Sequence, residues 1–218
     1  KLLEALRDES HLSLFVYIST SSVYGSTAVA AEDGVPMPIS NYGVTKLAAE
    51  QLVMSYQRER NFPACSLRLF SVYGARERPD KLYPRLIHSI VDGVPFPLYA
   101  DSWNHKRSFT FVGDIVGALV KALDTGACIG EIINIGSTDS ITTGEAIEIV
   151  QNKLEAKANY ILKPSRQGDQ IQTQARVEKA KAILGYYPTT PFSEGIEHEI
   201  KWFLALPQSV RSNYSPNM

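Results

Sequence analysis

The chain has 218 residues, 44% hydrophobic and 21% charged, a globular composition with enough apolar side chains for a substantial core. A formal net charge of -1 gives no electrostatic case for nucleic acid or an anionic membrane as partner, and no apolar run approaches the roughly 20 residues of a membrane span. Two cysteines, Cys65 in an apolar run and Cys128 near a glycine turn, read as reduced packing residues of a cytoplasmic protein.

In chain order, Lys1 to Ser10 reads as a helix already under way, feeding a strand over Leu14 to Ser19. The apolar run Phe15-Val16-Tyr17-Ile18 stops at the hydroxyl cluster Ser19-Thr20-Ser21-Ser22. A buried parallel strand ends this way when it delivers polar side chains to the C-terminal edge of a sheet, where ligands bind. Gly25 to Ser40, with Pro36 and Pro38, is not regular structure. Asn41 can cap the next helix, whose apolar positions Val44, Leu47, Ala48, Leu52, Val53 and Tyr56 keep a 3.6 period to Arg60. Tyr42 and Lys46, four apart, share one face of it. A hydroxyl, a phenol and an ammonium can therefore converge. A phenol is a poor base at neutral pH, but an ammonium and a cationic cofactor beside it favour the phenolate, which could take a proton from a substrate hydroxyl.

Ala64 to Phe70 is a second strand, ending at Ser71-Val72-Tyr73-Gly74. A charged loop, Arg76 to Asp80, precedes a helix over Leu82 to Asp92, and Pro95 to Asp101 is extended. Asp114 can cap a helix over Ile115 to Asp124, and Glu131 to Ile135 reads as a buried strand before Gly136. Thr142 or Thr143, with Glu145 or Glu148 nearby, opens a helix through Leu154. Tyr160-Ile161-Leu162 is a further apolar strand, Pro164 to Asp169 a polar turn, and Val177 to Leu184 and Ser193 to Leu206 close the pattern. Residues 211–218 read as a frayed tail. The histidines at 11, 88, 105 and 198 are scattered, so no metal site is expected.

Taken together, ISTSSVYG followed by NYGVTKLAAE, with Tyr42 placed 22 residues after Thr20, resembles the extended short-chain dehydrogenase/reductase family, and within it the NAD-dependent nucleotide-sugar epimerases and dehydratases. The resemblance implies an α/β fold: the C-terminal part of a Rossmann-like doubly wound parallel sheet, plus a smaller α/β substrate-binding domain. Residues 1–75, with a partial return at 109–140, would belong to the NAD-binding part, and 76–108 and 141–210 to the UDP-sugar part. The family's Gly-rich pyrophosphate turn has no match, because Gly34, Gly43 and Gly74 are isolated. The resemblance thus implies that these residues are the C-terminal part of a longer polypeptide.

It further implies Thr20, Tyr42 and Lys46 as the catalytic set, with Ser19 and Phe70 joining Tyr42 and Lys46 at NAD. Ser21, Ser71, Arg78, Leu82, Tyr99, Arg107, Arg166 and Asp169 would face the UDP-sugar. Tyr99 would stack on uracil, Arg107 and Arg166 would meet the diphosphate, and Asp169 would accept a hydrogen bond from the ribose. Arg78-Pro79-Asp80 resembles the loop of UDP-glucuronate 4-epimerases in which the arginine faces the sugar carboxylate. Where dehydratases of the family carry Asp-Glu after the catalytic threonine, this chain has Ser21 and Ser22, which leaves reversible oxidation at one carbon. The expected activity is C4 epimerisation of UDP-glucuronate to UDP-galacturonate through a 4-keto intermediate. UDP-glucose or UDP-N-acetylhexosamine as substrate, or a non-catalytic UDP-sugar-binding remnant, remain open. A homodimer through the Tyr42–Arg60 helix is expected, with no nucleic-acid or membrane partner.

Overall fold

The second long strand is buried on both faces, and the alternating direction of its side chains dictates how the layers stack. A computed structural model describes residues 1–214. Its elements are α1 (Leu2–Leu6), β1 (Phe15–Thr20), β2 (Thr27–Ala28), α2 (Asn41–Arg60), β3 (Ala64–Leu69), β4 (Val72–Tyr73), α3 (Leu82–Asp92), β5 (Phe96–Tyr99), β6 (Lys106–Arg107), β7 (Thr110–Phe111), α4 (Val112–Thr125), β8 (Ile132–Ile135), β9 (Ile141–Thr142), α5 (Thr143–Lys153), β10 (Tyr160–Lys163), β11 (Gln172–Thr173), α6 (Glu178–Leu184), α7 (Phe192–Leu204) and α8 (Gln208–Arg211). Strands β1, β3 and β8 form a parallel sheet in the order β1-β3-β8, with Thr20 opposite Leu69 and Leu69 opposite Ile135. All three therefore end along one edge.

Cys65 and Leu67 of β3 join Ile133 and Ile135 of β8 in a core covered by Ile115, Ala118 and Ala122 of α4 and Ala180 and Leu184 of α6. The intervening Ser66 and Arg68 face α2, where a parallel strand covered on both sides has no water to offer a charge. Glu50 of α2 answers them. It accepts hydrogen bonds from Arg68 Nε at 3.0 Å, Arg68 Nη2 at 2.7 Å and Ser66 Oγ at 3.0 Å. Arg68 Nη1 donates to the Tyr24 hydroxyl at 2.7 Å, which donates to Asn134 of β8 at 2.9 Å. Burial pushes the Glu50 carboxyl up, but Arg68 outweighs it and holds the group below the ordinary glutamate value. The network pins α2, β3, β8 and the Tyr24 turn in one register.

A second core gathers Tyr73, Tyr83, Leu86, Ile87, Phe96, Ile147, Ile196 and Phe203, chiefly from α3, α5 and α7. The rings of Tyr73, Tyr83 and Phe192 lie 5.0–5.6 Å apart at its centre. Short strands tie this half to the first: β4 pairs with β7, and β11 joins β2 to β6, which pairs in turn with β9. The segment Ala175–Tyr186 packs with the first core. Cys65 and Cys128 are both free and buried.

Several local expectations give way to tertiary chemistry. The opening helix stops at Leu6 because Glu9 draws the chain into a turn, its side chain accepting from the His11 N–H at 3.1 Å. Ser40, not Asn41, caps α2, its hydroxyl accepting from the Gly43 N–H at 3.1 Å. Helix α4 begins at Val112, so Asp114 lies inside its first turn and instead accepts from Thr190 N–H at 3.2 Å and Oγ1 at 3.1 Å. The expected apolar strand at 160–162 is present as β10, paired with β5. Thr142 and Glu145 form the reciprocal cap expected of α5. The tail expected to fray from 211 is ordered over 211–214, where Tyr214 packs on Trp202 and Phe203; 215–218 lie outside the described residues.

Replacing Arg68 by Met strands the Glu50 carboxylate in the core and lowers the free energy of unfolding by about 3–5 kcal/mol, while Glu50→Leu/Arg68→Met recovers most of that loss. Urea denaturation of the three proteins measures both effects.

Candidate active site

The C-terminal edge of the sheet opens into a cavity of about 680 Å³ lined by Thr20, Ser21, Tyr42, Ser71 and Arg78. Thr20, 8% exposed, closes β1. Its Oγ1 accepts from the Ser22 N–H at 3.2 Å and donates to Ser22 Oγ at 3.3 Å, capping the single turn that carries Ser21. Tyr42 enters from the start of α2. Helix and turn approach so closely that a Cβ on Gly43 would lie 2.7 Å from the Ser22 carbonyl oxygen, so a residue without a side chain is required there. This contact brings Tyr42 to the same cavity as Thr20. Tyr42 is 57% exposed.

Lys46 behaves differently from the expectation that it turns towards Tyr42. Among the described residues β1 pairs only with β3, so the Ile18 carbonyl on the free edge lacks a strand partner. Lys46 Nζ donates to that carbonyl and sits 4.5 Å from the centre of the Tyr17 ring. Ser19, one residue before Thr20, also lines this cavity, while its hydroxyl is buried towards Glu50 on the α2 side. Phe70 is fully buried in the first core and is not among the residues lining this cavity. The structure therefore gathers Thr20, Ser21, Tyr42, Ser71 and Arg78, with Lys46 beside them on the strand edge, and leaves Phe70 behind the wall.

A second cavity, about 330 Å³, adjoins the first and is lined by Leu82, Tyr99, Arg107, Arg166 and Asp169. The Arg166 guanidinium lies 4.4 Å from the Tyr99 ring centre, and its Nε donates to Asp169 at 3.2 Å. Burial lowers the pKa of Arg107 from its ordinary value, with Asp169 countering it. A shallower space of about 400 Å³ brings Tyr42 together with Arg107, Arg166 and Asp169. Ser71, Val72, Glu77 and Lys81 line both the 680 Å³ and the 330 Å³ cavity and form their seam. Arg78, expected to face a carboxylate, pairs with Asp80 at 3.1 Å, its side chain 69% exposed.

Sequence reasoning missed Gln170. Its Nε2 donates to the Ser21 carbonyl at 3.1 Å and the Gly25 carbonyl at 2.9 Å, and its Oε1 accepts from Ser21 Oγ at 3.3 Å. It thus ties the turn beside Thr20 to the segment that carries Arg166 and Asp169. The partners are 149 residues apart, and no periodicity encodes such a bridge.

Comparison with known proteins identifies the family. The NAD dependent epimerase/dehydratase family matches residues 1–136. The chain belongs to that family. It is 34% identical over 209 residues to an uncharacterized UDP-glucose epimerase, YtcB of Bacillus subtilis, covering 95% of this chain and 66% of that protein. UDP-glucuronate 4-epimerase 4 of Arabidopsis thaliana is 31% identical, with 94% of this chain and 51% of that protein covered. The crystal structure of UDP-glucuronic acid 4-epimerase from Bacillus cereus, in complex with UDP-glucuronic acid and NAD, superposes with a TM-score of 0.88 at 37% identity, covering 93% of this chain and 65% of that one. The chain thus spans about half to two thirds of the length of these relatives, and its fold is Rossmann-like.

Among this family member's own residues, the exposed Tyr42 phenol, the Lys46 amine at the open edge of β1 and the Thr20 hydroxyl fit the nicotinamide-ribose end of NAD. Among the described residues the pyrophosphate end finds no counterpart, since none of Gly25, Gly34, Gly43 and Gly74 belongs to a glycine-rich strand-to-helix turn.

Changing Gln170 to Ala leaves the Ser21 and Gly25 carbonyls without their donor. The expected loss is about 1–3 kcal/mol of stability, read from chemical denaturation, with unchanged helix content.

Proposed function

We propose that the protein is an NAD-dependent 4-epimerase of a UDP-sugar, converting UDP-glucuronate to UDP-galacturonate through a 4-keto intermediate. The observation that carries this reading is the seam: the cavity of Thr20 and Tyr42 opens directly into the one holding Tyr99, Arg107 and Arg166. A UDP-sugar laid across it would stack uracil on Tyr99, present the diphosphate to Arg107 and Arg166 and the ribose to Asp169, and place the hexose at Ser71 with its 4-OH beside Thr20 and Tyr42. Thr20 would hydrogen-bond O4 and Tyr42 would remove the hydroxyl proton, later returning it. NAD, when bound, supplies the reversible oxidation at C4. Lys46 is assigned to the nicotinamide ribose, exchanging the Ile18 carbonyl for it. Leu82 bounds the substrate end, and Ser19 acts only through the strand edge.

Ser21 and Ser22 put no carboxylate at the sheet edge, which supports epimerisation over elimination of water. Likeness to UDP-glucuronate 4-epimerases and the Arg78-Pro79-Asp80 loop favour glucuronate. A neutral hexose, UDP-glucose, is the second reading, favoured by the pairing of Arg78 with Asp80, which occupies that guanidinium. The first core would serve as the dinucleotide-binding part and the second as the substrate part. Exposed Val44 and Leu52 on α2 support a homodimer through that helix, and two free buried cysteines support a cytoplasmic location.

Tyr42→Phe is expected to lower turnover by a factor of order 100 or more while UDP binding persists; undiminished turnover would remove Tyr42 as the base. Incubation of the NAD-loaded protein with each UDP-sugar separates the two substrates. Turnover of UDP-glucuronate is expected, and turnover of UDP-glucose alone would overturn that assignment.

A further inference from the structure

Two carboxyl groups meet behind the seam. Glu77, on the loop that presents Arg78, lines both cavities, and Glu199 reaches it from α7 with 0% exposure. Glu77 Oε2 and both Glu199 oxygens are buried without a hydrogen-bond donor in place, although the two side chains lie within hydrogen-bonding reach of each other. The surroundings are aromatic: Tyr73 of β4, Tyr83 of α3, and Tyr214 face Glu199, and Tyr83 also faces Glu77. The charged neighbours of Glu77 are Arg78, Asp80 and Lys81, of which the cations are exposed; the Gly74 N–H is the backbone donor facing Glu199. Two facing carboxylates, with the Gly74 N–H as the donor turned towards one of them, cannot both be anionic in such a shell.

We propose that Glu199 holds a proton against the Glu77 carboxylate, and that this pair sets the charge of the sugar end of the site, so that a sugar bearing a carboxylate binds with uptake of a proton from solvent at Glu77 and a neutral hexose does not. The coupling rests on the reading of the cavities as a UDP-sugar site; the shared proton does not. Burial first, then the charge of Glu77, pushes Glu199 up to about 10, and burial pushes Glu77 up to about 7. Near neutral pH the pair therefore carries a charge that changes with small shifts in pH. A second anion at the seam raises the cost of that charge, and protonation of Glu77 removes it.

The shared proton is tested without ligand. The unfolded chain releases the Glu199 proton near the ordinary glutamate value of 4.5, whereas the folded chain keeps it to about 10, so wild-type stability falls between those limits. Glu199→Gln abolishes that loss. Its urea midpoint relative to wild type should rise from pH 5 to pH 8, and a difference independent of pH overturns the shared proton. The coupling is tested by calorimetry at pH 8 in buffers of different ionisation enthalpy. UDP-glucuronate should take up as much as about one proton per site, UDP-glucose almost none, and Glu77→Gln should abolish the uptake. Equal uptake with both nucleotides, or uptake that survives Glu77→Gln, overturns the coupling. Absence of binding by either nucleotide overturns the substrate reading, and the comparison of urea midpoints still decides the pair.

Discussion

The buried ion pair between Arg68 and Glu50 is the constraint on which the rest of the molecule depends. An arginine in the middle of a strand covered on both faces must be met by a carboxylate with near-ideal geometry, or the strand cannot be buried. The two-pronged contact from Arg68, with Ser66 on the same carboxylate and Tyr24 and Asn134 beyond it, leaves α2 one position against β3. Such a pair does little for net stability compared with apolar residues of the same volume. Its effect is on register. With α2 held there, Gly43 falls against the Ser22 carbonyl, and the phenol of Tyr42 arrives at the strand end that bears Thr20.

The site is assembled from parts whose stabilities come from different sources. The Thr20 edge belongs to a rigid parallel sheet, while Tyr99, Arg107, Arg166 and Asp169 hang from short strands and turns of the second half. Gln170 bridges them with three hydrogen bonds. The Arg78 loop is held differently, by Glu77 against Glu199, two groups that cost free energy to bury unless a proton lies between them. Sites that use polar groups in this way sacrifice stability for a particular charge at a particular place.

The neighbouring cations show the same economy of partners. Lys46 satisfies a strand-edge carbonyl, Arg166 lies on Tyr99 and pairs with Asp169, and Arg78 pairs with Asp80. Each of these cations has a weak, partly exposed partner, which an anion or a ribose can displace at small cost. Arg68, by contrast, is fully enclosed, and no ligand could compete for it. Exposure thus separates the cations that organise the fold from those that can recognise something.

The sequence by itself determined the local elements and the family. The Phe15–Ile18 run ending in hydroxyls, the period of α2, the span Leu82–Asp92 and the Thr142–Glu145 cap are all short-range patterns, and short-range sterics and hydrogen bonds suffice to specify them. Tyr42 and Thr20 were legible because helix and strand geometry place them at neighbouring ends. Only the tertiary structure decided that Ser40 caps α2, that Asp114 serves Thr190, that Lys46 lies along the strand edge, that Phe70 stays in the core, that Gln170 reaches the site and that Glu199 lies against Glu77 behind it. These are choices among partners far apart in the chain. They turn on which polar group is left unsatisfied once the layers have packed, and no local pattern records that.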